Sequence, residues 1–239
     1  MKKTLALILA CCWSAGFLSC SLADEPVFSE KDIREVHNLF SEQAVDGAMI
    51  MHQGDCLAVK VFTQSPYTHV AMMFCNEEGR WVVYDSANGT GVRKSELIDY
   101  LTECAPNHLV LLNPNQPLSE DQKSRLLLAL EEQIGRPYGI KHHISGKPAK
   151  GVHCSEYITS AMVSAGYLTA ERPAKVSPAS LRAGLLNHHL YSEIAETEMI
   201  VASIPPVPQS TWCSQMWSDT KACFSGTYQK CSRMFFCCD

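Results

Sequence analysis

Apolar residues return at two different spacings along this chain, and the switch between them outlines its elements. Ile33, Val36, Leu39 and Phe40 share one face of a helix ending near Gln43, opened by a capping pattern of Ser29 and Asp32. Gly54 to Phe62 reads as a strand. His69 to Cys75 is an apolar strand, Asn76 to Gly79 a turn, and Arg80 to Ser86 the returning strand of a hairpin. A loop over Asn88 to Gly91 precedes a short helix at Leu97 to Leu101, started by Ser95, and then a strand at His108 to Leu112.

The second half is more helical. Ser119 with Gln122 caps a helix whose Leu126, Leu127, Leu130 and Ile134 form the buried side, and Gly135 and Pro137 stop it. Lys141 to Gly151 is a polar, glycine-containing loop. Tyr157, Ile158, Ala161, Met162 and Ala165 then recur at helical spacing, with Gly166 at a left-handed cap. Ser177-Pro178 starts another short helix through Leu186. Tyr191 to Ala195 and Met199 to Ser203 read as strands.

The ends differ from this core. Lys2 and Lys3 precede an apolar run from Leu5 to Leu18, too short to span a bilayer comfortably, which reads as an export signal over residues 1–23. Ser21-Leu22-Ala23 offers a plain cleavage site, the favoured reading. Phe17-Leu18-Ser19-Cys20 offers a lipoprotein box that would leave a lipid anchor on Cys20. The expected location is therefore exported, periplasmic or secreted. The folded domain is expected over 24–204, followed at 205–239 by a proline linker and a cysteine-rich tail with several aromatics. A disulfide-stapled appendage fits that tail better than a zinc site, which would want paired C-x-x-C spacing.

Net charge is −5, with no basic run, so nucleic acid is not an expected partner. No phosphate loop and no H-x-x-x-H pair appears, so neither cofactor nor metal is expected. Of twelve cysteines, Cys11, Cys12 and Cys20 fall in the leader and nine remain. Nine is odd, so one lacks an intramolecular partner in an oxidising compartment. Cys154 is the candidate, although an intermolecular bridge would satisfy the same count.

Cys154 falls at the first turn of its helix. Unpaired N–H groups and the partial positive charge there favour thiolate, the nucleophilic form. The plain alternative is a buried structural cysteine or half a disulfide. A nucleophile needs a base, and the base needs an orienting group. His69 opens an apolar strand, and Asp85 lies near the end of the next. A hairpin centred on Asn76 to Gly79 pairs residues summing to about 155, which sets His69 opposite residue 86, one off Asp85. Taken singly, His69 reads as a strand-edge residue and Asp85 as a turn residue; only the joint pattern points to chemistry. His153 adjoins Cys154, but neighbouring side chains diverge at a helix start, so it is the weaker base. His142 and His143 fall in a loop and read as substrate-facing or surface residues. His188 and His189 lie near a helix end, and His37, His52 and His108 have no distinguishing feature.

The order Gly54-Asp55, Tyr67-Thr68-His69-Val70, Tyr84-Asp85, Gly135-Arg136-Pro137-Tyr138, Cys154-Ser155-Glu156 and Ser177-Pro178 resembles the permuted papain-like amidases, the circularly permuted branch of the NlpC-type cysteine peptidases. The resemblance spans roughly residues 50 to 190. It implies an α+β fold: a permuted papain-like core with an antiparallel sheet packed against helices, here with a cysteine-rich C-terminal extension. It implies His69 as base, Cys154 as nucleophile and Asp85 as third member. Oxyanion stabilisation would come from the Cys154 or Ser155 backbone N–H, with Tyr138 and His153 lining the cleft or, for Tyr138, simply packing. Two positions depart from the family: the third member is commonly Glu, and the residue before the cysteine is often Tyr. The expected activity is amide hydrolysis on a small peptide, cell-wall-derived or other acyl-amide substrate. A lipid acyl-ester or thioester hydrolase or acyltransferase is the alternative on the same fold. A non-enzymatic, disulfide-rich surface protein is a second alternative.

Overall fold

The computed structural model describes residues 30–54, 59–60, 63–104 and 108–199. The expected export signal, proline linker and cysteine-rich tail lie outside the described residues. So does most of the strand expected at Gly54 to Phe62, of which Val59 and Lys60 are helical rather than extended.

Elements follow in the order α1 (Glu30–Gln43), β1 (Ala48–His52), β2 (His69–Cys75), β3 (Trp81–Ala87), β4 (Gly91–Glu96), α2 (Leu97–Cys104), β5 (His108–Pro114), α3 (Glu120–Glu131), α4 (Lys141–Ser145), α5 (Cys154–Ser164), a 3-10 turn (Pro173–Lys175), α6 (Pro178–Asn187) and β6 (Tyr191–Glu198). Six strands form one antiparallel sheet in the order β4-β3-β2-β1-β5-β6. This is the mixed α+β architecture expected from the sequence.

Helices cover both faces of the sheet. On one face, Met72, Phe74, Tyr84 and Val110 pack against Leu130 of α3, Tyr157, Ile158 and Met162 of α5, and Leu181 of α6. On the other, Ile50, Ala71, Met73 and Val83 pack against Ile33, Val36 and Phe40 of α1 and Leu97 and Leu101 of α2. Side chains alternate along each strand, so both sets must be apolar where both faces are covered. That explains why β1 escaped sequence reading: Ala48-Met49-Ile50-Met51 is buried throughout and shows no alternation.

Other departures are local. β4 begins within the expected loop, at Gly91. The loop at Lys141 to Gly151 contains the short helix α4. Helix α3 carries the expected reciprocal Ser119–Gln122 cap. It ends at Glu131, however, and Ile134 is 43% exposed, because tight i−3 bonds from Gln133 and Ile134 unwind the last turn toward Gly135. The strand expected at Tyr191 to Ala195 is β6, which runs on to Glu198; of the strand expected at Met199 to Ser203 only Met199 lies among the described residues, and it is not in a strand.

Candidate active site

The site forms where β2 begins, β3 ends and α5 starts. Two consecutive residues of β3 hold its parts together. Asp85, fully buried, places Oδ2 3.2 Å from Nε2 of His69. Ser86 points to the other face and donates its hydroxyl to the carbonyl of Val152 at 2.8 Å, two residues before Cys154. Strand alternation thus lets one strand fix both the imidazole and the approach to the helix.

The segment leading into α5 is threaded against Gly135 to Tyr138. Val152 N donates to Pro137 O at 3.0 Å, and Tyr138 forms a parallel bridge with Val152. A Cβ on Gly151 would lie 2.8 Å from Tyr138 O and 2.9 Å from Gly139 Cα, so only glycine fits that crossing. β4 anchors the same segment: Val92 N donates to Arg136 O at 2.8 Å and Gly135 N to Val92 O at 2.9 Å. Tyr138 therefore stands beside the start of α5 with its side chain half-buried.

Cys154 is a free thiol, 4% exposed, at the first position of α5. Cys75 is free as well, so the odd cysteine count is not what distinguishes Cys154. The His69 ring stands near enough to the Cys154 sulfur for each to shift the other's ionisation. With Nε2 turned to Asp85, Nδ1 is the ring nitrogen left to serve the sulfur. Burial pushes the Cys154 thiol up, but the charge of His69 and hydrogen bonds from His153 and His69 outweigh it, and the net shift is down. For His69, burial works downward; the Cys154 and Asp85 charges and hydrogen bonds overcome it, and the ring is held protonated well above its ordinary range. A thiolate–imidazolium pair backed by a carboxylate is the state this geometry favours.

Ser155 is buried, and its hydroxyl donates to Val176 O at 2.8 Å, so only its backbone faces chemistry. His153 caps α5, with Nδ1 3.4 Å from Glu156 N and Nε2 3.1 Å from Ala174 O.

Three residues around the site, Arg93, His52 and Tyr100, carried no distinguishing mark in the sequence. Arg93 sits directly across β3/β4 from Asp85 and donates from Nε to Oδ1 at 2.9 Å. His52 pairs with His69 across β1/β2, their ring centroids 5.0 Å apart at 73°. Burial, then the charge of His69, pushes the His52 pKa well down, so this ring stays neutral. Tyr100 from α2 meets His52 Nε2 at 2.5 Å. His142, expected on a loop, pairs through Nδ1 with Glu156 at 2.6 Å. Only Glu156 had a local signal, its place in Cys-Ser-Glu.

This is a papain-like arrangement, with imidazole and acid on early strands and cysteine on a later helix. The model of the permuted papain-like amidase enzymes, YaeF/YiiX, C92 family, matches residues 43–219, and the chain belongs to that family. At that level it is a hydrolase. The crystal structure of the metalloprotein YiiX from Escherichia coli O157:H7 is similar in fold, with a TM-score of 0.51 and 16% identity over 65% of this chain and 99% of that one. No curated protein matches the chain. Among the described residues of this chain, no group of three or more His, Cys, Asp or Glu side chains is disposed to hold a metal ion.

Proposed function

We propose that this protein is an exported cysteine amidase or peptidase acting on small peptide or cell-wall-derived amides, with Cys154 as nucleophile, His69 as acid–base and Asp85 as the group that orients His69. The observation that carries this reading is the Cys154–His69–Asp85 chain of contacts at a helix N-terminus. Export rests on Lys2, Lys3 and the apolar run from Leu5 to Leu18.

The reaction is an acyl transfer in two halves. The Cys154 thiolate attacks the amide carbonyl carbon. The oxyanion that forms lies at the start of α5, where the Cys154 or Ser155 backbone N–H and the helix dipole stabilise it. His69 gives its proton to the departing amine as the C–N bond breaks, leaving a thioester. Neutral His69 then takes a proton from water, whose oxygen attacks the thioester; the acid leaves and the thiolate returns. Asp85 holds the ring in place and supports its charge throughout. Tyr138 and His153 line the approach.

Turnover of an N-acyl dipeptide by the full chain tests the reading. Cys154→Ala is expected to abolish it with an unchanged melting temperature. His69→Gln should cost about 10²–10⁴-fold in kcat. Turnover retained by Cys154→Ala would overturn the assignment.

One observation favours the lipid reading. Ile140 and Ile144 are 47% and 62% exposed on the α4 segment tied to Glu156, and Lys141, Lys147 and Lys150 are exposed beside them in sequence. An apolar tip with basic neighbours suits an acyl chain at an anionic interface. Comparing an amide with an ester of the same long acyl group separates the two; a preference for the ester supports the lipid enzyme.

A further inference from the structure

Residues 139–151 leave the site and return to it. Their ends are pinned together: Tyr138 bridges Val152, and Gly139 N donates to Val152 O at 3.3 Å. Helix α4 lies in this excursion, and its two histidines face the body of the protein. His142 Nδ1 meets Glu156 Oε1 at 2.6 Å, and His143 Nδ1 meets Ala174 O at 2.8 Å. Lys175 holds the C-terminal end of the helix, with Nζ 3.2 Å from Ile144 O. The apolar side chains face solvent. Ile144 N donates to Ile140 O at 3.0 Å, which sets the two isoleucines one turn apart on one face. They are 47% and 62% exposed. Of the six large apolar side chains exposed among the described residues, only these two fall one helical turn apart. A surface helix ordinarily turns its apolar side in and its polar side out. Helix α4 does the reverse, and its inward polar contacts hold it so.

Charge adds to the pattern. The chain has a net charge of −5, yet no Asp or Glu occurs between Glu132 and Glu156, where Arg136, Lys141, Lys147 and Lys150 fall. Lys141, Lys147 and Lys150 are exposed and meet no carboxylate among the described residues. Arg136 is half-buried and reaches Lys150 O at 3.4 Å, so it braces the excursion from within. Lys175, exposed on the 3-10 turn, adds a cation against α4. Glu171 is the acid nearest that turn in sequence, and Arg172 adjoins it. Two isoleucines offer too little area for a stable protein interface, which takes about 800 Å² from each partner. A lipid surface asks less of a single tip, because shallow apolar insertion and attraction to anionic headgroups act together.

We propose that this excursion docks the protein on an anionic lipid surface. Ile140 and Ile144 enter the boundary between headgroups and acyl chains, and Lys141, Lys147 and Lys150 meet the lipid phosphates. His142 ties the tip to Glu156, two residues beyond Cys154, so docking brings the start of α5 beside the membrane. The proposal stands apart from which bond Cys154 breaks, and it holds for amide and ester chemistry alike.

The test is sedimentation of the full chain with vesicles of equal parts phosphatidylglycerol and phosphatidylcholine, against vesicles of phosphatidylcholine alone. Binding is expected to the anionic vesicles at about 0.1 M NaCl and should weaken at least about tenfold at about 1 M. Lys141→Gln, Lys147→Gln and Lys150→Gln together should weaken it about 100-fold, at roughly fivefold each. Ile140→Ser with Ile144→Ser should weaken it about tenfold or more. These side chains are exposed, so the melting temperature of both variants should stay in place. Hydrogen exchange in residues 139–151 of the wild type should slow when anionic vesicles are added. The apolar run from Leu5 to Leu18 can bind vesicles by itself. Equal binding by all variants, or exchange that slows only outside 139–151, therefore overturns the proposal, as does no binding to anionic vesicles. A dimer in solution that Ile144→Ser dissolves would give the isoleucines to a second copy and overturn it too. Cys154→Ala should bind as wild type does. Salt-sensitive binding by a chain that hydrolyses no amide would support the docking tip and overturn only the amidase reading.

Discussion

Asp85 and Arg93 face one another across β3 and β4, and the guanidinium holds one carboxylate oxygen while His69 holds the other. The carboxylate is fully buried and is shared between two donors, and Arg93 is braced in turn by Glu103. A short Asp thus reaches His69 because its second oxygen is pinned from behind. Arg93→Ala is expected to lower kcat about tenfold or more and to cost about 3 kcal/mol of stability, the scale for breaking a buried pair. Arg93→Lys should recover part of both. Steady-state kinetics and chemical denaturation check this; an unchanged kcat would sink the role given to Arg93.

The pH profile has a defined sign on each side. The Cys154 thiol is drawn down to about 5 and His69 is raised to about 10. kcat/KM should rise as pH increases through the lower value, where the thiolate forms, and fall through the upper one, where His69 loses its proton. Asp85→Asn removes a charge and a bond that raise His69, so the alkaline limb should move to lower pH. A limb that stays put would show that Asp85 does not act on His69.

Tyr100 and His52 form a buried strut behind His69. Tyr100→Phe leaves His52 Nε2 without its 2.5 Å partner. The expected cost is about 1–3 kcal/mol. Differential scanning calorimetry should show a melting point lower by roughly 2–4 °C for each kcal/mol. Because the neutral His52 ring still packs on His69, kcat should change less than in Arg93→Ala.

Gly91 carries a backbone prediction. Its φ is +77°, and a Cβ there would sit 2.4 Å from Arg136 O. Gly91→Ala meets a left-handed cost of about 1–2 kcal/mol plus that clash. The clash pushes on the strand that braces Tyr138 and Val152. Lower stability with a raised KM is the expected result; a variant as stable as wild type would show that the contact yields freely.

Elements whose signals are local could be read from the order of residues alone. Ser119–Gln122 and Ser177-Pro178 mark helix starts through groups within one turn, and the 69–86 hairpin announces itself through its turn and apolar flanks. The same order set Cys154 at a helix start, since periodicity and caps act over a few residues. The remainder was settled by packing between distant segments. The hairpin pairs Met72 with Tyr84, a sum of 156 rather than the expected 155. One residue of register reverses every side chain, so the observed register is what puts His69 and Asp85 on one face. Arg93, His52 and Tyr100 reach the site from β4, β1 and α2, far apart in sequence, and β1 is buried on both faces and so shows no alternation. Such contacts arise from packing across the sheet, and no spacing along the chain encodes them.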